Sequence, residues 1–304
     1  MTDSGSARKD NLPQLTVAGG VSAVVVNYNA GELLMGCVAS LLRSGANEVI
    51  IVDNASSDSS VADCLAGIRG SDASSVAVIQ TGANLGYGRA ANRGAARAEF
   101  RFLVVCNPDC QCDDDTLLQL AHFLDEHPGA GMVGPRIVDS QGVTYPSPRR
   151  FPSLVNSAAH ASLGQLLPNN RFSRHYKSVE SAELGTDRWI SGAFLMLSRE
   201  VFLEIGGFDP DFFMFMEDVD LSRRIIERNQ EIGFVDTARV THRQGHSSLS
   251  RPYLVIFAHH RSLWIYSKKT LRGVRRALLP LVALGIALRL AISVARAIAS
   301  GRRG

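Results

Sequence analysis

The side chains of this 304-residue sequence best suited to do chemistry are acids and histidines gathered into three short stretches. Glu217, Asp218 and Asp220 crowd together, with Phe212, Phe213, Phe215 and Met216 ahead of them and Arg223 and Arg224 behind. Apolar rings beside a carboxylate disfavour its charged form and raise its pKa toward a range useful for a general base. The same residues could instead cap a helix and form surface ion pairs with the arginines, which contribute little. Asp218 and Asp220 are two apart on the expected helix and so point differently, leaving one to act on a ligand and the other to a structural role. Asn107-Pro108-Asp109 follows the apolar run FLVVC, and the proline stiffens the turn so that both polar side chains project from one edge. A carboxylate there can hold a hard divalent cation against a diphosphate, or simply accept hydrogen bonds in a strand-to-helix turn. His242 and His246, in VTHRQGHSS, suit a metal ligand or a donor to phosphate oxygen, against the commoner structural histidine.

A second group is polar and non-catalytic in type. Asp53 heads the run D-N-A-S-S-D after a buried apolar segment, where it can accept from a ribose or a base edge, or only cap the next helix. Asn27 and Asn84 occupy equivalent strand ends, which favours a nucleotide pocket. NLGYGRAAN, from Asn84 to Asn92, contains G-x-G-x-x-A. A dinucleotide fingerprint should open the first strand–helix unit, whereas this one follows the third strand. Its glycines, Gly86 and Gly88, still permit close backbone approach to a ligand, and a helix beginning there would offer N–H groups to a phosphate or sugar.

These residues need elements to hold them. VSAVVVN, EVIIVD, SVAVIQ and FRFLVVCNPD are continuous apolar strands, separated by helical patterns such as Leu33 to Leu41 and Asp114 to Glu126. Such alternation predicts an α/β fold with a mostly parallel sheet covered on both faces. Asn27, Asp53, Asn84 and Asp109 then fall just past strand carboxyl ends, the edge where open α/β sheets bind ligands. AGMVGPRIV reads as a fifth strand, and 143–188 as loops and short helices. WISGAFLMLSRE reads as a strand running into a helix, and the stretch from Gly206 to Asn229 as an aromatic loop feeding a helix with acids in its first turn.

Taken together, VVVNYN, VDNASSD, NLGYGRAAN, CNPD, WISGAFLMLSRE, GGFDPDFFMFMEDVDLSRR and VTHRQGHSS resemble the family-two inverting glycosyltransferases, particularly bacterial rhamnosyltransferase-like members, in order over residues 21–250. The resemblance implies a GT-A fold, a Rossmann-like sheet that binds a nucleoside-diphosphate sugar. By that similarity Asn27, Asp53, Asn84, Gly86, Asn107, Asp109, Trp189 and Gly192 would bind the nucleotide sugar. Asp218 would be the base, Asp109 and His242 the metal ligands for Mg²⁺ or Mn²⁺, and Glu217 and His246 would face acceptor or phosphate. The first carboxylate of the D-x-D-like motif is replaced by Asn107. The implied reaction is a single displacement in which Asp218 takes the proton of the acceptor hydroxyl. L-rhamnose from dTDP-rhamnose is the leading donor, ahead of galactofuranose, mannose or glucose, and the implied acceptor is a lipid-linked or cell-envelope glycan. A nicotinamide-dependent oxidoreductase on the Gly86/Gly88 turn is disfavoured because the loop after the first strand, NYNAGE, has no glycine fingerprint. A non-catalytic sugar-binding scaffold is disfavoured by the retained Glu217–Asp218 pair and Asp109.

Composition sets the outer bounds. Hydrophobic residues at 45% and charged residues at 20% suit a folded enzyme-sized body. A net charge of +3 gives no reason to expect nucleic-acid binding, which needs clustered cations. Residues 1–20 read as a flexible leader without the apolar core of a secretory signal, so the expected location is cytoplasmic. Five cysteines, with no zinc-ribbon or redox spacing, read as reduced thiols. From Arg251 to the end there is no Asp or Glu. In that tail, 251–304, the uninterrupted apolar run from Ala277 to Leu288 is shorter than the ~20 residues of a membrane span. Arg275, Arg289, Arg296 and Arg303, spaced by multiples of seven, predict an amphipathic helix lying in the plane of an anionic membrane, peripheral at its inner face. No oligomeric state is indicated.

Overall fold

Runs of β-branched residues with no polar face become strands covered on both sides, and the first half of the chain builds its sheet from them. The computed structural model describes residues 17–68, 70–151, 184–243 and 252–301. In order come β1 (Val21–Asn27), α1 (Leu33–Arg43), β2 (Glu48–Asp53), α2 (Ser60–Gly67), β3 (Val76–Gln80), α3 (Tyr87–Ala95) and β4 (Phe102–Cys106). The second half is more broken: β5 (Cys110–Cys112), α4 (Thr116–Glu126), β6 (Ala130–Val138), β7 (Thr144–Tyr145), β8 (Arg149–Arg150), β9 (Leu184–Gly185), β10 (Arg188–Trp189), β11 (Phe194–Ser198), α5 (Arg199–Glu204), α6 (Glu217–Ile226), β12 (Glu231–His242), α7 (Pro252–Thr270) and α8 (Leu279–Gly301).

The main sheet runs β3-β2-β1-β4-β11-β6-β12-β5. β1 to β4 are mutually parallel, β11 is inserted antiparallel between β4 and β6, β12 runs parallel to β6, and β5 runs antiparallel to β12. This is a mixed, mostly parallel α/β sheet of the GT-A type. Leu34, Leu41, Leu117 and Leu120 from α1 and α4 fill one face, and Ala90, Ala91, Leu221 and Ile225 from α3 and α6 fill the other. Gly94 is needed in α3 because a Cβ there would run into Val24 and Val52, so its absence lets the helix settle directly onto β1 and β2. All five cysteines are buried within these layers.

Register does the positioning. Asn27 pairs with Asp53 across β1 and β2, while β5 pairs Cys110 with His242 and so delivers Asp109 to the end of β12. AGMVGPRIV is the sixth strand rather than the fifth, because three residues after Asp109 already form an edge strand on β12. WISGAFLMLSRE is not one strand: β10 stops at Trp189, residues 190–193 turn, and β11 begins at Phe194. Within 143–188, the described residues form short strands.

The tail divides in two. α7 packs Ile265 and Tyr266 against Trp189, Phe212 and Val219, which makes it part of the body. Beyond it, Gly273–Ala299 is long and apolar enough to cross a membrane by length and composition, and its most apolar window has none of its residues buried. The helix is therefore longer than the uninterrupted apolar run marked in the sequence. An uninterrupted apolar run stops at Arg289, but the helix continues past that single charge with Leu, Ala, Ile and Val.

Candidate functional site

At the carboxyl ends of β1, β4 and β12 lies a cavity of about 560 Å³, a volume suited to a small-molecule ligand. Asn84, Gly86, Asn107, Asp109, Trp189, Gly192, Glu217, Asp218 and His242 all line it. Asn27 and Asp53 do not. Asn27 is fully buried, and its Nδ2 donates to Asp53 Oδ1 at 3.1 Å, Ser56 Oγ at 3.0 Å and Ser60 Oγ at 2.9 Å. The pair braces the wall from behind, and its neighbours Tyr28 and Asn54 supply the surface. His246 lies outside the described residues.

Asn54 organises the glycine turn. It accepts from the Leu85 amide at 2.8 Å and donates to Asn84 Oδ1 at 3.1 Å, while Asn84 Oδ1 also takes the Gly86 amide at 3.0 Å. Gly86 has φ +84°, and a Cβ there would collide with the Phe213 carbonyl. That carbonyl accepts from the Tyr87 amide at 2.9 Å. The amides of Leu85, Gly86 and Tyr87 are thus already engaged with protein. Gly86 lets the aromatic loop lie against the turn.

The acids sit where that loop ends. Phe215 and Met216 both have left-handed backbone, φ +65° and +68°, immediately before α6. Two adjacent non-glycine residues in this region persist only where surroundings over-determine them. α7 supplies the restraint: Ser262 Oγ donates to the Met214 carbonyl at 2.8 Å, Arg261 donates to the Asp211 carbonyl at 2.8 Å, and the His259 ring meets Phe215 edge-on at 5.2 Å. Burial, with Arg289 and His260 adding to it, lowers the His259 pKa to about 4, so this cavity-lining ring is neutral at neutral pH.

Asp218 Oδ2 accepts from the Gly192 amide at 2.9 Å and Oδ1 from the Val219 amide at 2.8 Å. Gly192 in turn gives its carbonyl to the Tyr87 hydroxyl at 2.5 Å. The turn at 190–193 therefore fixes the acid's rotamer. Burial raises the pKa of Asp218, opposed by these amides and by Arg149. Burial and then the charge of Asp218 push Glu217 up to about 8, and Glu217 Oε2 is buried without a hydrogen-bond partner. Asp218 is thus the member of the pair served by donors, and Glu217 the one whose charged form burial disfavours most. Asp220 points the other way, fully buried, against Arg224 at 2.7 Å and Lys269 at 2.5 Å.

The third component is Asp109 with His242. Asp109 Oδ1 lies 3.1 Å from His242 Nε2, and Asn107 Nδ2 lies 3.4 Å from the same nitrogen. Both side chains are largely buried, and Asp109 Oδ1 receives no aligned hydrogen bond. Two donors of one octahedral cation at about 2.1 Å stand about 3 Å apart, so the pair fits a shared divalent ion. Cys110 Sγ is close enough to be grouped with them, but it is turned to the Ala193 carbonyl at 3.2 Å. Tyr28, Asn54, Tyr87, Tyr145, Arg149 and His259 also line the cavity and were not singled out by motif. Of these, Tyr28 inside VVVNYN, Asn54 inside VDNASSD and Tyr87 inside NLGYGRAAN had a signal that could have been read.

The model for Glycosyl transferase family 2 matches residues 22–220. An N-acetylglucosaminyl-diphospho-decaprenol L-rhamnosyltransferase of Mycobacterium tuberculosis is 34% identical over 258 residues, covering 80% of this chain and 82% of that protein. A low-salt glycan biosynthesis hexosyltransferase of Haloferax volcanii is 25% identical over 236 residues, covering 76% and 69%. Among solved structures, GalNAc-T7 with UDP, GalNAc and Mn²⁺ superposes with a TM-score of 0.55 at 18% identity, covering 82% of this chain and 50% of that one. S. aureus TarS 1-349 in complex with UDP-GlcNAc gives 0.55 at 17% identity, covering 89% and 72%.

Proposed function

The chain belongs to glycosyl transferase family 2 and is an inverting glycosyltransferase of the GT-A type, and on that premise we propose that it moves L-rhamnose from dTDP-rhamnose to a hydroxyl of a lipid-linked glycan. The observation that carries the reading is one cavity holding both a donor-braced carboxylate, Asp218, and a cation-fitting pair, Asp109 with His242. Thymidine and rhamnose are chosen because the M. tuberculosis relative, matched over most of both chains, is an L-rhamnosyltransferase acting on a diphospho-decaprenol-linked sugar.

Asp109 and His242, with Asn107 beside them, would hold Mg²⁺ or Mn²⁺, which supplies neutralisation of charge on the departing diphosphate. Asn54, Asn84 and Tyr28 face the nucleoside, with Asn27 and Asp53 keeping that wall rigid. Asp218 accepts the proton of the attacking hydroxyl, its orientation set by the Gly192 and Val219 amides. Attack opposite the leaving group inverts the anomeric carbon. The enzyme works as a peripheral protein at the cytoplasmic face of an anionic membrane, where its acceptor resides, held there by α8.

A panel of thymidine-, uridine- and guanosine-diphosphate sugars, each with and without Mn²⁺, tests the donor. Transfer should be fastest with dTDP-rhamnose, should need the metal, and should give a product whose anomeric configuration by NMR is opposite to the donor's. Preference for another sugar removes the rhamnose assignment.

A further inference from the structure

Arg149 is the one lysine or arginine among the described residues that line the cavity. It belongs to β8, which pairs Arg149 directly with Trp189 of β10. Its guanidinium carbon lies 4.4 Å from the centre of the Tyr145 ring and 5.3 Å from that of Trp189, and its Nε donates to the Pro146 carbonyl at 2.6 Å. One N–H of five is thereby used, and the group is oriented by two aromatic faces. No carboxylate lies within ion-pair distance of Arg149 among the described residues, in contrast to Arg150, which meets Asp187. The geometry is that of a preorganised cation facing an open volume.

We propose that Arg149, framed by Tyr145 and Trp189, is the binding site for the diphosphate of the acceptor, a prenyl-diphosphate-linked sugar. This deepens the sugar-transfer reading and rests on it. The Asp109–His242 pair already provides a cation position for one diphosphate, that of the donor. A second diphosphate in the same cavity of about 560 Å³ would be repelled by the first unless it met a positive charge of its own. Arg149 is that charge, and a planar guanidinium binds phosphate oxygens in pairs. Leu254 and Val255 of α7 line the same cavity as Arg149 and Trp189 and offer apolar surface suited to the first prenyl units. Arg149 and Asp218 line the same cavity, so the acceptor's anchor and the group that takes its proton share one volume.

Calorimetry on the full chain decides it, with two synthetic acceptors that share a short prenyl chain and N-acetylglucosamine and differ only in having or lacking the diphosphate. The native chain should bind the diphosphate form at least about tenfold more tightly. Arg149→Met, which keeps an apolar stem against the rings, should bring the two within about twofold, and Arg149→Lys should fall between. Thermal unfolding of both variants verifies folding, and if Arg149→Met does not fold, the lysine variant alone reads the preference. A native chain without preference, or variants that keep it in full, overturns the proposal. So does a loss of affinity for thymidine diphosphate with the acceptor preference intact, since the arginine then serves the donor. Binding is read without turnover, so a chain that shows the preference yet transfers no rhamnose contradicts the donor assignment and not this site.

Discussion

Glu217 and Asp218 are adjacent acids with separate surroundings, and the difference assigns their work. Asp218 accepts two backbone amides, whereas Glu217 Oε2 is buried with none. Replacing Asp218 by Asn keeps shape and removes basicity, so turnover should fall by about 10²- to 10⁴-fold. Donor affinity measured by calorimetry should survive, and near-native turnover would refute the assignment of the base. Glu217 carries a pH signature. Its folded-state pKa of about 8 lies above the ordinary 4.5, so its stabilising contribution is complete below the lower value and is lost as pH climbs through the upper one. Between about pH 5 and pH 8.5 the native melting temperature should drop relative to that of Glu217→Gln, by about 2–5 °C. Parallel melting curves for the two proteins would remove the raised pKa from consideration.

At the scale of elements, α7 straps the aromatic loop that launches α6. Lys269 adds to the strap by bridging Asp209 and Asp220 at 2.5 Å each, which ties the buried side of α6 to α7, while Arg224 pairs with Asp220 within α6. Ser262→Ala removes the donor to the Met214 carbonyl and leaves that carbonyl unpaired, which should cost about 1–3 kcal/mol in chemical denaturation. Relaxation of Phe215 and Met216 from left-handed backbone would also swing the acids, so kcat should fall more than donor KM rises. A variant that loses stability while keeping kcat would show that the strap supports the fold alone.

Across the whole molecule, the body buries its apolar residues while the tail exposes them. Leu281, Leu284 and Leu288 of α8 are each more than 60% exposed, an apolar face that water does not favour, and Arg272, Arg275 and Arg276 stand at its start. Such a combination binds anionic lipid through apolar insertion and charge together. Removing residues 273–304 should leave a folded, donor-binding enzyme that no longer sediments with anionic liposomes. Equal sedimentation of the shortened and full chains would exclude α8 as the membrane element. Retention of the full chain on the membrane after high-salt washing would favour insertion over the in-plane placement.

Local pattern was enough for the strands β1, β2 and β4, because a run such as EVIIVD has only one stable setting, buried on both sides in a sheet. Local pattern also marked the stretches that hold Asp109, Asp218 and His242, all three of which line the cavity, whereas the choice of Asp218 over Asp220 and of His242 over His246 came from the family resemblance. The sequence could not tell that Asn27 and Asp53 would turn into each other rather than into the cavity, since that depends on register between neighbouring strands. Arg149, Tyr145 and His259 carry no motif at all and reach the cavity only through the folding of β7, β8 and α7 against the body. The sequence dictates elements because hydrophobic periodicity is a property of neighbouring residues. The site is decided by the tertiary structure, because convergence of side chains distant along the chain depends on how those elements pack.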